Sequence, residues 1–147
     1  MKVNDFVEKA KKIEKMKTKY KLGTYMNKVD DDVYLTDGAG FIKGILWGYP
    51  EAGRYGENHV PDINANTMIS QCLEVTTNFT KAQSGWLVWM EGHIGVYIGN
   101  GIVIEATHAW KGGVLRTFCK GSGFENIGKL NERQWTKCGM FDKYIEY

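Results

Sequence analysis

The sequence predicts an α+β fold, with helices in the first half of the chain and an antiparallel sheet in the second half. Three observations predict it: apolar residues at helical spacing near the N-terminus, a glycine-rich apolar segment that ends at Pro50, and three β-rich runs between residues 86 and 106. We expect a single domain over residues 1–147. The composition, 43% hydrophobic and 24% charged, is typical of a globular protein.

The first helix is predicted from apolar spacing, with Asn4 or Asp5 as its N-cap. The residues of this apolar face are Val3, Phe6, Val7, Ala10, Ile13 and, at the end, Met16 or Lys17. Residues 18–36 contain Gly23, Asn27 and an acidic run, and they are predicted to form loops and turns.

A second helix is predicted to follow Thr36 or Asp37, either of which can cap it, and to end at Pro50. Its apolar face consists of Phe41, Ile42, Ile45 and Leu46. Each glycine in a helix costs about 1 kcal/mol relative to Ala, so the several glycines of this segment indicate a close backbone approach by a ligand or by the sheet. Residues 51–63 are predicted to be a surface loop, and a short helix is expected from Asn64 or Asn66.

The second half is predicted to contain strands at 86–90, 94–98 and 102–106, with further strands possible at 115–118 and 144–147. Residues 92–107 form a predicted hairpin around Gly99-Asn100-Gly101. A two-residue loop would send His93 and Glu105 to opposite faces. A three-residue loop would set residue 95 opposite Glu105 and bring His93 and Glu105 onto one face as diagonal neighbours.

A His that a carboxylate orients is the base half of a nucleophilic triad, although a hydrogen-bonded core His beside an edge charge has the same pattern. The net charge of +2 is too small to indicate nucleic-acid binding. Residues 2–28 are rich in Lys, which suits either a solvated face or attraction to an anionic polymer. The three cysteines, Cys72, Cys119 and Cys138, contain no CxxC pair and predict neither a disulfide framework nor a metal site.

The chain as a whole resembles papain-like hydrolases of the NlpC type, and clostridial and phage lysin domains in particular. The segments that carry this resemblance are KTKYKLGTY, DGAGFIKGILWGYP, GWLVWMEGHIGVYIGNGIVIEAT and the closing WTKCGMFDKYIEY. The resemblance implies a papain-like fold with N-terminal helices packed on a central antiparallel sheet. It also implies a cysteine peptidase that cleaves peptidoglycan stem peptides between D-Glu or D-isoGln and the diamino acid, without a metal or cofactor.

In that family an Asp-Cys-x-Gly-apolar motif begins the helix, and neither candidate position is Cys in this chain. Alignment on the following residues sets the family cysteine at Gly38, whereas a one-residue variant of the motif sets it at Ala39. A deliberate Cys→Ala exchange at position 39 is the first interpretation, and natural loss in a chain that keeps its groove is the second. The remaining cysteines are not expected to act as nucleophiles.

The resemblance assigns the general base to His93, its orientation to Glu105, and help with the oxyanion to Tyr20. It further suggests that Asp37 meets the free amine of a stem peptide, and we expect Trp110 and His108 to line the substrate groove. The alternatives are an amidase that cuts between the sugar and L-Ala and a catalytically dead wall-binding module.

The expected partner is a peptidoglycan stem peptide, with no nucleic acid, no membrane insertion and a monomeric chain. No secretory signal or apolar run of about 20 residues is present. The pattern predicts synthesis in the cytoplasm and action at the bacterial cell wall, either after phage or prophage release or as part of a longer exported chain.

Overall fold

A computed structural model describes residues 1–147. Its three helices are α1 (Val3–Glu14), α2 (Gly38–Leu46) and α3 (Ala65–Ser70). The strands are β1 (Lys17–Tyr20), β2 (Tyr25–Val29), β3 (Val33–Thr36), β4 (Leu73–Thr76), β5 (Leu87–Met90), β6 (His93–Gly99), β7 (Ile102–Thr107), β8 (Gly113–Cys119), β9 (Glu132–Arg133) and β10 (Lys137–Met140). No helix is long and apolar enough to cross a membrane.

Seven strands form the main sheet, in the order β4-β10-β5-β6-β7-β8-β9. Because side chains alternate along a strand, the sheet has two apolar faces. Ile94, Val96 and Ile104 belong to the larger core cluster, which includes the buried residues of α1 and α2. Tyr97 and Val103 belong to a smaller cluster around Trp135. The helices therefore cover one face, as the α+β prediction requires.

Helix α2 is anchored at its start by Asp37, which adopts extended geometry and accepts a hydrogen bond from the Gly40 amide. The predicted cap is confirmed, but the helix ends at Leu46 rather than near Pro50, and the chain turns at Gly48 with φ of 96°. A Cβ at position 40 would lie 1.8 Å from the carbonyl oxygen of Thr24. The close approach that the glycines predicted is therefore made by the neighbouring chain segment.

The prediction that residues 18–36 lack regular structure is wrong. This segment forms a small sheet in which β3 lies between β1, in parallel, and β2, in antiparallel orientation. The strands have only four or five residues each, and most of their side chains are half-buried or exposed. Their weak apolar alternation explains why the turn residues between them dominated the prediction.

The hairpin of β6 and β7 combines the two predicted registers. Gly99 pairs with Ile102, so Asn100 and Gly101 form a two-residue turn, and their φ angles of 54° and 80° are those that a tight hairpin turn needs. A bulge at residue 98 then shifts the pairing so that Val96 lies opposite Ile104. Residue 95 is consequently opposite Glu105, as predicted for the three-residue loop.

The C-terminal segment differs from the prediction of a strand at 144–147. Its only ladder contact is a parallel bridge between Lys2 and Glu146, where the Val3 amide donates to Glu146 and the Glu146 amide donates to Met1. The two ends of the chain are thus adjacent. The strand that joins the sheet here is β10, which lies between β4 and β5.

Candidate active site

The predicted pair of His93 and Glu105 is in contact. Nε2 of His93 lies 2.8 Å from Oε1 of Glu105, and the carboxylate is fully buried. The hairpin register described above produces this contact, because it brings the first residue of β6 diagonally across from the middle of β7.

Both oxygens of Glu105 also have partners from distant parts of the chain. The hydroxyl of Thr117 donates to Oε2 over 2.7 Å, and Nε of Arg133 donates to the same oxygen over 3.0 Å. A terminal nitrogen of Arg133 lies 2.8 Å from Oε1. Each carboxylate oxygen therefore has two polar partners, and pairing of this kind makes a buried charge tolerable.

The surroundings of Glu105 keep it ionised. Burial alone would raise its pKa, but the hydrogen bonds from His93 and Arg133 outweigh burial and hold the pKa below its usual range. An ionised carboxylate at Nε2 accepts the ring proton there, so the neutral imidazole has a free lone pair at Nδ1. The site therefore presents Nδ1 as its basic atom.

Position 38 faces this basic nitrogen. A Cβ on Gly38 would lie 3.1 Å from Nδ1 of His93 and 3.3 Å from the carbonyl oxygen of Ile94. Gly38 is the first residue of α2 and has helical backbone geometry, which any L-residue can adopt. Ala39, the first interpretation of the nucleophile position, instead packs against the larger core cluster.

Asp37 holds the loop before the helix as well as the helix itself. Its Oδ1 accepts from the Gly40 amide over 2.6 Å, and its Oδ2 accepts from the Gly23 amide over 2.7 Å. Both oxygens therefore have backbone partners already. Its suggested contact with a substrate amine stays a prediction.

Of the three remaining predicted residues, Tyr20 is the last residue of β1, and His108 and Trp110 lie in the loop between β7 and β8. The ring of Tyr20, in β1, meets that of His108 edge-on with 5.3 Å between centroids. Burial and the negative charge of Asp37 raise the pKa of Tyr20, so its hydroxyl stays a donor at neutral pH. Trp110 is 46% exposed and lies over the guanidinium of Arg133, 4.9 Å from it.

Three residues of the site were missed from the sequence: Thr117, Arg133 and Trp135. The indole of Trp135 stacks on the ring of His93, with centroids 5.2 Å apart and planes 16° from parallel. Gly95 makes this possible, since a Cβ there would lie 3.2 Å from the indole. The spacing of Arg133 and Trp135 by two residues is the one local signal that both face the same way.

The three cysteines of the chain are free thiols; Cys119 and Cys138 are buried and Cys72 is half-buried. Burial raises the pKa of Cys72 and of Cys119 to about 12, and that of Cys138 to about 11. Their thiols stay protonated at neutral pH and are poor nucleophiles. No group of three or more His, Cys, Asp or Glu side chains is arranged to hold a metal ion.

Comparison with protein-family models and with curated proteins gives no match. Solved structures share the fold, among them the following two. The peptidoglycan hydrolase RipB from Mycobacterium tuberculosis superposes with a TM-score of 0.60 at 16% identity, over 99% of this chain and 65% of that one. The P60 domain of an antigen from M. avium subspecies paratuberculosis gives a TM-score of 0.58 at 16% identity, over 99% of this chain and 96% of that one.

The fold is therefore the papain-like fold of NlpC/P60 domains, as the sequence predicted. This chain spans just under two thirds of the RipB chain and nearly all of the P60 domain. At 16% identity this likeness shows the fold alone.

Proposed function

We propose that this domain is a peptidoglycan hydrolase of the cysteine endopeptidase type whose nucleophile position is residue 38, where this chain has Gly. The observation that carries the proposal is the orientation of His93. Its Nε2 is bonded to Glu105, and its Nδ1 points to within 3.1 Å of where a side chain at position 38 would begin. The similarity in fold to the peptidoglycan hydrolase RipB supports the choice of substrate.

With a thiol at position 38, each neighbour has a defined task. His93 would take the thiol proton at Nδ1 and later give it to the leaving amine, while Glu105 would hold the ring. The first amides of α2 and the hydroxyl of Tyr20 would stabilise the oxyanion, and the helix N-terminus would favour the thiolate. Trp110, His108 and Asp37 are the proposed contacts to the stem peptide, whose scissile bond joins D-Glu or D-isoGln to the diamino acid.

The identity of residue 38 favours natural loss of the nucleophile over a deliberate exchange. Ala is the usual choice for a deliberate exchange, because it keeps the helix and removes only the sulfur. Position 38 has Gly, which costs about 1 kcal/mol relative to Ala in a helix. Gly38 rather than Ala39 is the proposed nucleophile position, because position 38 faces Nδ1 of His93 and Ala39 packs against the core.

A wall-binding module without catalysis is the second candidate. One observation favours it: the buried network around Glu105 and the exposed ring of Trp110 are intact in a chain without the thiol. An amidase that cuts between the sugar and L-Ala would use the same residues. The site of action in all three cases is the bacterial cell wall.

The test is to install the thiol at each position. We expect Gly38→Cys to release muropeptides from purified sacculi, measured by turbidity and mass spectrometry of the fragments. Ala39→Cys is the matched control and should stay inactive, because its side chain packs against the core. Adding His93→Ala to Gly38→Cys should lower the activity at least 100-fold.

The products distinguish the alternatives. New γ-D-Glu ends support the endopeptidase, and freed L-Ala amines with intact stems support the amidase. If Gly38→Cys folds, its thiol is accessible and no fragment appears, the hydrolase proposal fails. Binding of the unchanged chain to sacculi would then support the wall-binding module.

A further inference from the structure

Arg133 occupies an unusual position for a charged side chain. It comes from β9, at the edge of the main sheet, and reaches inward until it is only 17% exposed. Its Nε lies 3.0 Å from Oε2 of Glu105, and one terminal nitrogen lies 2.8 Å from Oε1. This two-point contact fixes both the position and the plane of the carboxylate.

Two indole rings hold the guanidinium. Trp110 lies 4.9 Å from it and Trp135 lies 5.5 Å from it. Trp135 in turn stacks on His93. Arg133 and the catalytic ring thus share one rigid support, in addition to sharing Glu105.

Two ionisable side chains and one hydroxyl contact Glu105 from the strands around it. His93 comes from β6 and Arg133 from β9, while β8 contributes the neutral hydroxyl of Thr117. His93 and Arg133 both contact Oε1. When His93 is protonated, two positive charges therefore compete for one carboxylate.

We propose that Arg133 is the positioning residue of this site: it fixes Glu105 as the acceptor for Nε2 of His93, so that Nδ1 of the ring is directed toward position 38. The role rests on the proposed function, since a general base is useful only to a hydrolase. The role can be tested without any substrate, because NMR reports which nitrogen of the His93 ring has the proton and how that ring titrates.

A purely structural Arg133 would predict something different. It would stabilise the fold, and its loss would lower the unfolding midpoint without moving the titration of His93. The proposed role predicts a change in the titration of that one ring at constant fold. The measurement therefore has to report on ring nitrogens individually.

The experiment is a pH titration of the unchanged chain with ¹⁵N-labelled histidine, followed by long-range proton–nitrogen NMR spectra. The chain has three histidines. Signals are assigned with His59→Gln and His108→Gln, and the exposed His59 is the internal control. We expect the neutral ring of His93 to have its proton on Nε2.

In Arg133→Met we expect the titration midpoint of His93 to rise by about one pH unit or more, because one positive charge has been removed beside it. Arg133→Lys keeps the charge and should shift the midpoint by less than about half as much. Arg116→Met is the matched control: Arg116 is on β8 and pairs with Glu14, so its loss should leave His93 unchanged.

If Arg133→Met does not fold, Trp110→Ala replaces it, because Trp110 is 46% exposed and its removal hydrates the guanidinium. A smaller rise in the His93 midpoint is then expected. A folded variant of either kind with an unchanged midpoint overturns the proposal, as does a proton on Nδ1 in the unchanged chain. Failure of Gly38→Cys to cut sacculi would refute the proposed function and leave this result standing.

Discussion

At the scale of single residues, Glu105 is the centre of the site. It is a fully buried carboxylate, a state that is costly unless every oxygen is compensated. His93, Thr117 and Arg133 supply that compensation. The same contacts that orient the imidazole therefore also contribute to folding, and the contribution depends on pH.

We expect Glu105→Gln to lower the free energy of unfolding by about 3 kcal/mol at pH 7, because the guanidinium of Arg133 loses its counter-charge. Since the pKa of Glu105 is lowered in the folded state, its stabilisation is present above its usual pKa of 4.5 and is lost as the pH falls through the folded value. The difference in free energy of unfolding between the unchanged chain and Glu105→Gln should therefore become smaller below about pH 4.5.

Urea unfolding from pH 7 to pH 3 measures this. Asp62 also has a lowered pKa, chiefly through its hydrogen bond from Lys43, but it is present in both proteins and cancels in the difference. Glu8→Gln, at an exposed position, is the control and should change little. A gap between the two proteins that is constant with pH would contradict the expectation.

The residues of the site differ in how far the sequence could predict them. His93 and Glu105 lie on one hairpin, so spacing and turn chemistry were sufficient to bring them together once the register was right. Thr117 is one strand further on, and Arg133 reaches Glu105 from 28 positions away. Nothing local in the sequence indicates such long-range contacts, because they depend on how β8 and β9 join the sheet.

At the scale of elements, the hairpin and the start of α2 fix the geometry of the site. The turn at Asn100-Gly101 and the bulge at residue 98 together determine the face on which Glu105 lies. The sequence left two registers open because a bulge has no strong residue signature. The small sheet of β1, β2 and β3 was not predicted for a related reason. Strand β1 pairs in parallel with β3, and no local sequence pattern indicates such a contact.

We expect Asp37→Ala to cost about 1–2 kcal/mol of stability, because the Gly40 and Gly23 amides both lose their acceptor. Asn64→Ala is the matched control, since Asn64 caps α3 through the Thr67 amide away from the site. Both variants should lower the urea midpoint. In the Gly38→Cys background, only Asp37→Ala should also slow alkylation of the thiol. The exchange loosens the helix start, whose amides would otherwise favour the reactive thiolate. Equal alkylation rates in the two double variants would contradict this.

At the scale of the whole molecule, the chain has an uneven surface. Strand β1 turns Thr18 and Tyr20 inward while Lys17 and Lys19 are exposed. The basic residues of the N-terminal region therefore flank the strand that contributes Tyr20 to the site. This arrangement suits contact with an anionic polymer, such as the proposed peptidoglycan substrate.

We expect the triple exchange Lys15→Glu, Lys17→Glu and Lys19→Glu to weaken co-sedimentation with sacculi at least 10-fold at low salt, and much less at 0.5 M NaCl, where surface charges are screened. The control exchanges three other exposed lysines, Lys81, Lys120 and Lys143, for Glu. It has the same net charge, so equal losses in both triple variants would show that only total charge matters.

The pairing of the two chain ends has a consequence for how this domain can be rearranged. Lys2 and Glu146 are bridged, so a short flexible linker could join the termini without disturbing the sheet. New ends could then be opened in the exposed stretch around Gly53, where no neighbouring atoms crowd the backbone. Such a circular permutant would keep the continuous segment from α3 to β10, and with it the hairpin and its arginine. The position of the chain ends could therefore be changed without changing the arrangement of the site residues.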